Sequence, residues 1–333
     1  MTVYVTKPQP NANAPKSLRR SAAAAESGDL QLLLKTLANA NGQEVEDLNT
    51  KETSLLINAA KTRPIQEADL IIERKAICQL ATLYTSVRWF TAQISTLRHV
   101  DPKATKTSSA LAHHQQRRWA LDPALSESAP YLPLSPETAT DFDAVVSSFT
   151  DLSSLILRTL HIELRLQLLH GISRALGTTY FLNQPYNDPD PSIIALNRAI
   201  LVLDEDLSAR LPPPQYRSVT AHLSSLADNA LVSYASTVPA MDAHGRARMQ
   251  LNVLVLQQNL KEMDELASLG QAAEYWDLYE QGAEAVVAAV REGLPKAEAR
   301  DMVRLIYSVP PEKGGPGQGS KGLDVVFREI ESA

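Results

Sequence analysis

Residues Arg248-Met-Gln-Leu-Asn-Val-Leu-Val-Leu-Gln-Gln-Asn-Leu260 form the stretch on which the interpretation of the fold depends. The apolar residues of this stretch and of its continuation recur at intervals of three and four, which is typical of one face of an α-helix. This seam consists of Met249, Val253, Leu256, Leu260, Met263 and Ala267. Further apolar residues beside the seam, Leu251, Leu254 and Val255, predict that the helix is covered on most sides. We therefore expect a central helix with other helices packed around it.

The composition of the chain favours an all-α fold. The 333 residues are 44% hydrophobic but only 5% aromatic, so a normal core is available while strand-forming side chains are scarce. Helical spacing of apolar residues returns in most of the long intervals between prolines. The helix lengths and joints are irregular, so no solenoid repeat is indicated.

Proline and glycine positions divide the chain into predicted segments. We expect a disordered basic arm at 1–28, an amino-terminal helical bundle segment at 29–121, a Pro-rich linker at 122–136, a carboxy-terminal helical bundle at 137–309, a Gly/Pro-rich loop at 310–322 and a terminal helix at 323–333. The arm 1–28 has prolines that disfavour an amphipathic helix, which argues against a mitochondrial transit peptide.

Individual helices are predicted from the same signals. The interval 65–100 has neither proline nor glycine and predicts one helix on the order of 50 Å long. Ser135 and Asp190 are expected to cap helices that open on the following prolines. Further helices are predicted at 29–40, 51–61 and near 111–121. The helix that opens after Ser135 is expected to end at about 177, and the one that opens after Asp190 at about 211. The last predicted helices are at about 215–236, 240–269, 271–292, 296–308 and 324–331.

The charge of the chain is unevenly distributed. Residues 1–120 carry 16 Lys and Arg against 10 Asp and Glu, which leaves 16 against 28 in the remainder, so the two parts are +6 and −12. The basic residues are scattered and not interleaved with aromatic residues, so nucleic-acid binding is not expected. One hypothesis is that the +6 part contacts an acidic neighbouring protein.

Several residues that can carry chemistry lack the pattern that the chemistry needs. The seven histidines contain no His-Glu-x-x-His motif and no i, i+4 pair, which argues against zinc. The Gly-rich stretch 314–321 ends in Ser-Lys, the reverse of the order that a phosphate-binding loop requires. Half of a nucleophile elbow at Gly171-Ile-Ser-Arg-Ala175 lies in helical sequence. We therefore predict no catalytic, cofactor-binding or metal-binding residues and no bound cofactor.

Other polar and distinctive residues are interpreted as structural. His161 and Arg165 are placed at the flank of a helix interface, and Gln257-Gln-Asn259 is expected to fix helix register through buried amide hydrogen bonds. The single cysteine, Cys78, excludes an internal disulfide and is typical of a reducing compartment. Cys78 and Trp89 are interpreted as packing residues. No run of residues is apolar enough for a membrane span.

Three blocks of sequence resemble a known family. Asn187-Asp-Pro-Asp-Pro-Ser-Ile-Ile-Ala-Leu-Asn197, Leu203-Asp-Glu205 and Met249–Leu260 are similar to the carboxy-terminal region of the exocyst component four (Sec-eight) family in a fungal-like version. Upstream, Thr159-Leu-His-Ile-Glu-Leu-Arg165 and Leu80-Ala-Thr-Leu-Tyr84 resemble the same family. The similarity covers about 50–310, whereas 1–28 and 310–322 match nothing in it.

This resemblance implies a rod-like tandem of helical bundles of the vesicle-tethering-complex type, without catalysis. It implies a structural subunit, or a fragment of one, that holds secretory vesicles at the plasma membrane before fusion. The partners would be other exocyst subunits, with no nucleic acid, no small-molecule substrate and only indirect membrane association. The expected location is cytoplasmic, peripheral at plasma-membrane sites of secretion. The alternatives are an all-α enzyme, or an unrelated helical adaptor or scaffold, with a ligand pocket not visible in the sequence.

Overall fold

The computed structural model describes residues 42–98, 134–264, 266–309 and 322–333. These residues form eleven α-helices and two 3-10 turns, so the all-α prediction is confirmed. The helices are α1 Gly42–Thr62, α2 Arg74–Thr96, α3 Pro136–Leu176, α4 Pro191–Ser208, α5 Pro213–Thr220, α6 Leu223–Ser233, α7 Ala243–Met263, α8 Gly270–Gln281, α9 Ala283–Arg291, α10 Lys296–Ile306 and α11 Leu323–Ser332. No helix in these ranges combines the length and apolarity that crossing a membrane requires.

Several predicted segments lie outside the described residues. They are the arm 1–28, the helices at 29–40 and near 111–121, the linker 122–136 up to residue 133, and the loop 310–322 apart from residue 322. The division into bundles at 29–121 and 137–309 stays a prediction. Apart from Val87 and Ala139, the buried apolar side chains of the described helices belong to one cluster.

Helix α3 has the central position that the sequence pattern predicted for α7. The hydroxyl oxygen of Ser135 accepts a hydrogen bond from the backbone N–H of Thr138, and Pro136 occupies the first turn, so the predicted helix start is confirmed. Its 41 residues extend about 60 Å. The carboxy-terminal half is buried almost all round, because α2, α4, α5 and α6 pack on different sides of α3.

Helix α7 is confirmed as a helix, but it is covered on one side only. The seam residues Met249, Val253, Leu256 and Leu260 are buried, as expected. Leu254 is 53% exposed, so the prediction that α7 is covered on most sides is wrong. The buried side also contains amides next to the seam: Asn252 and Asn259 are core residues. Apolar residues beside a helical seam are therefore not necessarily covered by other helices.

Two long predicted helices are each broken into two. The stretch 215–236 changes direction at His222, whose φ of 58° is left-handed, and the stretch 271–292 breaks at Gly282, whose φ is 87°. At the first break the guanidinium of Arg165 donates to the carbonyl oxygens of Val219 at 2.9 Å and Ala221 at 2.6 Å. Those hydrogen bonds satisfy carbonyl groups that the end of α5 leaves without a helical partner.

The start of α7 is held against the end of α3 by backbone contacts. Tyr180 N–H donates to Ala240 at 2.8 Å, and Asp242 N–H donates to Tyr180 at 3.2 Å. A Cβ on Gly245 would lie 1.8 Å from the Tyr180 carbonyl oxygen, so only glycine allows this approach. Asn252 adds hydrogen bonds to the Asp190 N–H at 2.7 Å and to the Tyr180 hydroxyl at 3.0 Å.

Candidate interaction surface and the polar contacts that position it

A buried ionic cluster joins α1 to α3 and α5. Nε2 of His161 lies 2.7 Å from Oε1 of Glu52, and Nε of Arg165 lies 3.3 Å from the same oxygen. Nδ1 of His161 faces the carbonyl oxygen of Ser218 at 3.2 Å, so that nitrogen donates. The prediction that His161 and Arg165 flank a helix interface is wrong in one respect: both are buried inside it.

Burial and charge act in opposite directions on this cluster. Burial works to raise the pKa of Glu52, but the hydrogen bond with His161 and the charges of His161 and Arg165 outweigh it and lower the pKa to about 2. Burial lowers the pKa of Arg165 to about 10 and also lowers the pKa of His161. The hydrogen bonds and ion pairs of the cluster join α3 to α1 and to α5, so the cluster positions helices.

Polar groups of α3 also hold the segment that connects α1 to α2. The carboxylate of Glu163 accepts from the Ile71 N–H at 2.7 Å, and His170 Nδ1 donates to the Ile65 carbonyl at 2.9 Å. Gln167 donates to the Ile71 carbonyl at 3.3 Å. This explains why one helix over 65–100 is wrong: α2 begins only at Arg74, because the preceding residues bond to α3 instead of to a helical turn.

The start of α2 is fixed to the end of α4. Nε of Arg74 donates to Asp206 at 2.6 Å, and Nη1 of Arg210 donates to the same carboxylate at 2.9 Å. The hydrogen bond from Arg74 lowers the pKa of Asp206. Cys78 is half-buried, and burial together with the neighbouring Asp206 raises the pKa of its thiol. The raised pKa disfavours the reactive thiolate.

The best-formed cavity of the described residues lies between α3, α4 and this connecting segment. Its volume is about 380 Å³, and its floor is mostly apolar, including Ile77, Leu196 and Leu203. His170, Arg174 and Glu67 lie among its lining residues, but His170 is engaged by Ile65. The carboxylates with a shifted pKa, such as Glu52 and Asp206, do not line the cavity.

The described histidines of α3 make structural contacts, and His222 lies near enough to the His161 cluster for its charge to act on Glu52. His161 and His170 bond to α1 and to the connecting segment, and His99, His113 and His114 lie outside the described residues. Within the described ranges no group of His, Cys, Asp and Glu is arranged to hold a metal ion.

At the edge of the core, residues 83–96 of α2 and the first half of α3 form an antiparallel hairpin. Phe90 and Phe149 stack edge to face with their centroids 5.2 Å apart, and Arg98 forms a bidentate pair with Asp143 at 2.6 and 2.7 Å. Trp89 is 64% exposed, so its interpretation as a packing residue is wrong.

One side of this hairpin carries a set of large, incompletely covered apolar side chains that we call the apolar ridge. It consists of Leu83, Phe90, Leu97, Val145, Phe149 and Leu152. In the sequence, the α2 members Leu83, Phe90 and Leu97 belong to the same three- and four-residue apolar spacing as buried Val87. Spacing alone could not separate the side facing α3 from the side that faces solvent.

Comparison with known proteins gives a consistent result. No family model matches the chain. A probable exocyst complex component sec8 from Neurospora crassa is 34% identical over 298 residues, which are 86% of this chain and 27% of that protein. The human exocyst complex component 4 is 26% identical over 302 residues, 84% of this chain and 30% of its own length. The exocyst complex component sec8 of Schizosaccharomyces pombe is 26% identical over 174 residues, which are 50% of this chain and 16% of that protein.

Proposed function

Because this chain belongs to the exocyst complex component 4 family, we propose that it is part of an exocyst subunit that tethers secretory vesicles to the plasma membrane. The chain spans 27% and 30% of the length of the first two relatives, so the proposal concerns the share of the work done by this region. We assign it an associative role: rigid helices supply length and side surfaces for other subunits. The location that goes with this role is the cytoplasmic side of secretory sites.

The observation that carries the proposal is the family relationship. The way in which the chain uses its polar residues supports it. Glu52, His161 and Arg165 contact one another and join α1 to α3. Arg74 and Arg210 both form ion pairs with Asp206. A catalytic site needs convergent polar groups that face a pocket. We therefore propose that the chain has no catalytic site and that its large exposed apolar side chains contact other proteins.

Affinity purification tests the proposal directly. The chain is tagged and expressed at its normal level in its own cells, and the proteins that co-purify are identified by mass spectrometry. We expect other exocyst subunits in amounts comparable to the chain. Recovery of a folded chain without any of them would contradict the proposal. A variant that unfolds the bundle, Leu256→Asp, is the matched control and should lose the co-purifying subunits, because buried Leu256 holds α7 in the core.

A further inference from the structure

The last described helix, α11, lies in a groove between α9 and α10. Its buried side chains are Val326 and Ile330, one turn apart, and Leu323 and Phe327 are partly buried beside them. These four residues have the spacing i, i+3, i+4 and i+7, which is typical of an amphipathic helix bound along a groove. The groove of α9 and α10 therefore already holds a helix of defined pattern.

Basic side chains of α10 hold the carboxyl-terminal end of α11. The guanidinium of Arg300 forms an ion pair with the carboxylate of Glu331, and Nζ of Lys296 donates to the Glu331 carbonyl oxygen at 2.9 Å. Carbonyl groups in the last turn of a helix lack helical partners and carry partial negative charge, so a lysine there satisfies one of them. The groove thus recognises an acidic residue directly after the last apolar one.

The carboxylates of α10 lie towards a different element. Glu298 and Asp301 are within range of Lys61 of α1, whose positive charge acts on both. The remaining charged residues of α9 and α10 carry both signs: Glu284, Arg291 and Arg304. Lys296 and Arg300, which are one turn apart, therefore form a basic pair on the side of α10 that contacts α11.

The attachment of α11 is slight compared with that of α10. Two of the ten residues of α11 are buried, against five of the eleven in α10. Helix α10 also packs on α8 and on the 3-10 turn Tyr234–Thr237, and the Tyr275 hydroxyl donates to the Glu298 carbonyl at 2.9 Å. These contacts hold α10 without α11. A helix of ten residues is too short to be stable alone in water, so α11 depends on its docking.

The length of chain before α11 leaves it free to separate from the groove. Twelve residues, rich in glycine and proline, connect Val309 to Gly322 and span at most about 40 Å when fully extended. Such a tether keeps α11 at an effective concentration on the order of millimolar near the groove. A second copy of the chain in dilute solution does not compete with it. A helix of another protein competes when that protein is already bound nearby.

We propose that α9 and α10 form a docking site for an amphipathic helix and that α11 is a releasable strap over this site. The strap leaves and rebinds as a unit while α1 to α10 stay folded. The open site accepts a helix of a protein bound elsewhere on the chain. That helix has apolar residues at i, i+3, i+4 and i+7 and an acidic residue at i+8, as Leu323 to Glu331 have.

Hydrogen exchange in the full natural chain tests the release. We expect the protection factors of the α11 amides to be about tenfold or more below those of α10, because local opening of the strap leaves α10 folded. Equal protection of α10 and α11 would show that the two helices open together and would overturn the proposal.

A peptide added in trans tests the site. A fluorescent peptide with the sequence of residues 322–333 is titrated into the full chain and into its Ile330→Asp variant, in which the buried carboxylate releases α11. We expect the peptide to bind this variant about tenfold or more tightly than the natural chain, whose site is occupied. Val325→Asp is the matched control and should behave as the natural chain, because Val325 is 42% exposed.

Two results of this titration would overturn the proposal. One is equal binding to the natural chain and to the Ile330→Asp variant, when hydrogen exchange shows that α11 is released and α10 is still protected. The other is loss of protection throughout α9 and α10 in the variant, which would make α11 an integral part of the fold.

Charge exchange tests the acidic position of the pattern. In the Ile330→Asp chain, the further change Arg300→Glu should weaken peptide binding about threefold, because repulsion replaces the ion pair with Glu331. A peptide that carries Glu331→Arg should restore the binding. Arg198→Glu, at an exposed position of α4, changes the net charge equally and is the control. Equal weakening by the two chain variants, or no rescue, would overturn the assignment of an acidic residue at i+8.

Discussion

His161 and Glu52 are 109 residues apart in sequence, yet Nε2 of one lies 2.7 Å from Oε1 of the other in the interior of the protein. The contact ties α1 to the centre of α3. Arg165, one turn further along α3, approaches the same carboxylate at 3.3 Å. The three groups are almost fully removed from water, so each depends on the others for solvation.

Replacement of Glu52 should therefore destabilise the protein strongly. Glu52→Gln leaves the buried guanidinium of Arg165 without its carboxylate, and we expect the free energy of unfolding to fall by about 3 kcal/mol. Urea denaturation measured by circular dichroism gives this value. Glu262→Gln, at an exposed position in the last turn of α7, should change it by less than about 0.5 kcal/mol. Equal effects would mean that the cluster does not support the fold.

The same carboxylate makes the stability depend on pH. The pKa of Glu52 is about 2 in the folded chain, against 4.5 as the ordinary value. Its contribution is therefore complete above pH 4.5 and is lost as the pH falls towards 2. The shift corresponds to about 3 kcal/mol. The lowered pKa of His161 acts in the same direction, because the unfolded chain binds its proton first as the pH falls below 6.5.

We expect the unfolding free energy of the natural chain to decrease more between pH 5.5 and pH 3.5 than that of Glu52→Gln, which has no carboxylate to protonate. The comparison of the two proteins isolates Glu52 from carboxyl groups of opposite tendency, such as Asp228, whose pKa burial raises. Parallel pH profiles for the two proteins would show that Glu52 does not carry this dependence.

Local signals in the sequence predicted where helices begin, but they did not predict the tertiary contacts between helices. Ser135 and Asp190 accept the capping hydrogen bonds expected of them, because a cap depends only on residues two or three positions away. The break at His222 was missed because the carbonyl groups beside it are bonded by Arg165, which lies 57 positions earlier than His222 in the sequence. Tertiary contacts of this kind leave no trace in periodicity.

The surfaces were harder still to predict. Gln257-Gln-Asn259 was expected to fix register by buried amides, and Asn259 does donate to Asn197 at 3.2 Å, whereas Gln258 is exposed. The α2 members of the apolar ridge and buried Val87 share one spacing pattern, because apolar periodicity records a wide face and not which part of it is covered. Only the position of α3 separates them.

Gly245 offers a test of the joint between α3 and α7. Gly245→Ala places a methyl group 1.8 Å from the Tyr180 carbonyl oxygen, and backbone on both sides must shift to make room. We expect the variant to lose about 3 kcal/mol of unfolding free energy, at the upper end of overpacking effects. Gly270→Ala is the control, since its new Cβ meets nothing closer than 3.4 Å. A stable Gly245→Ala protein would mean that this joint can open at little cost.

Two leucines on α7, two positions apart, test which side of that helix holds the bundle together. Leu256 is fully buried and Leu254 is 53% exposed. Leu256→Asp would bury an unpaired carboxylate, and we expect it to abolish cooperative unfolding and most of the helical circular dichroism signal. Leu254→Asp keeps its charge in water, so we expect its unfolding free energy to stay within about 0.5 kcal/mol of the natural chain. The opposite ranking, or equal damage from both, would show that the exposed side of α7 is covered by something essential to the fold.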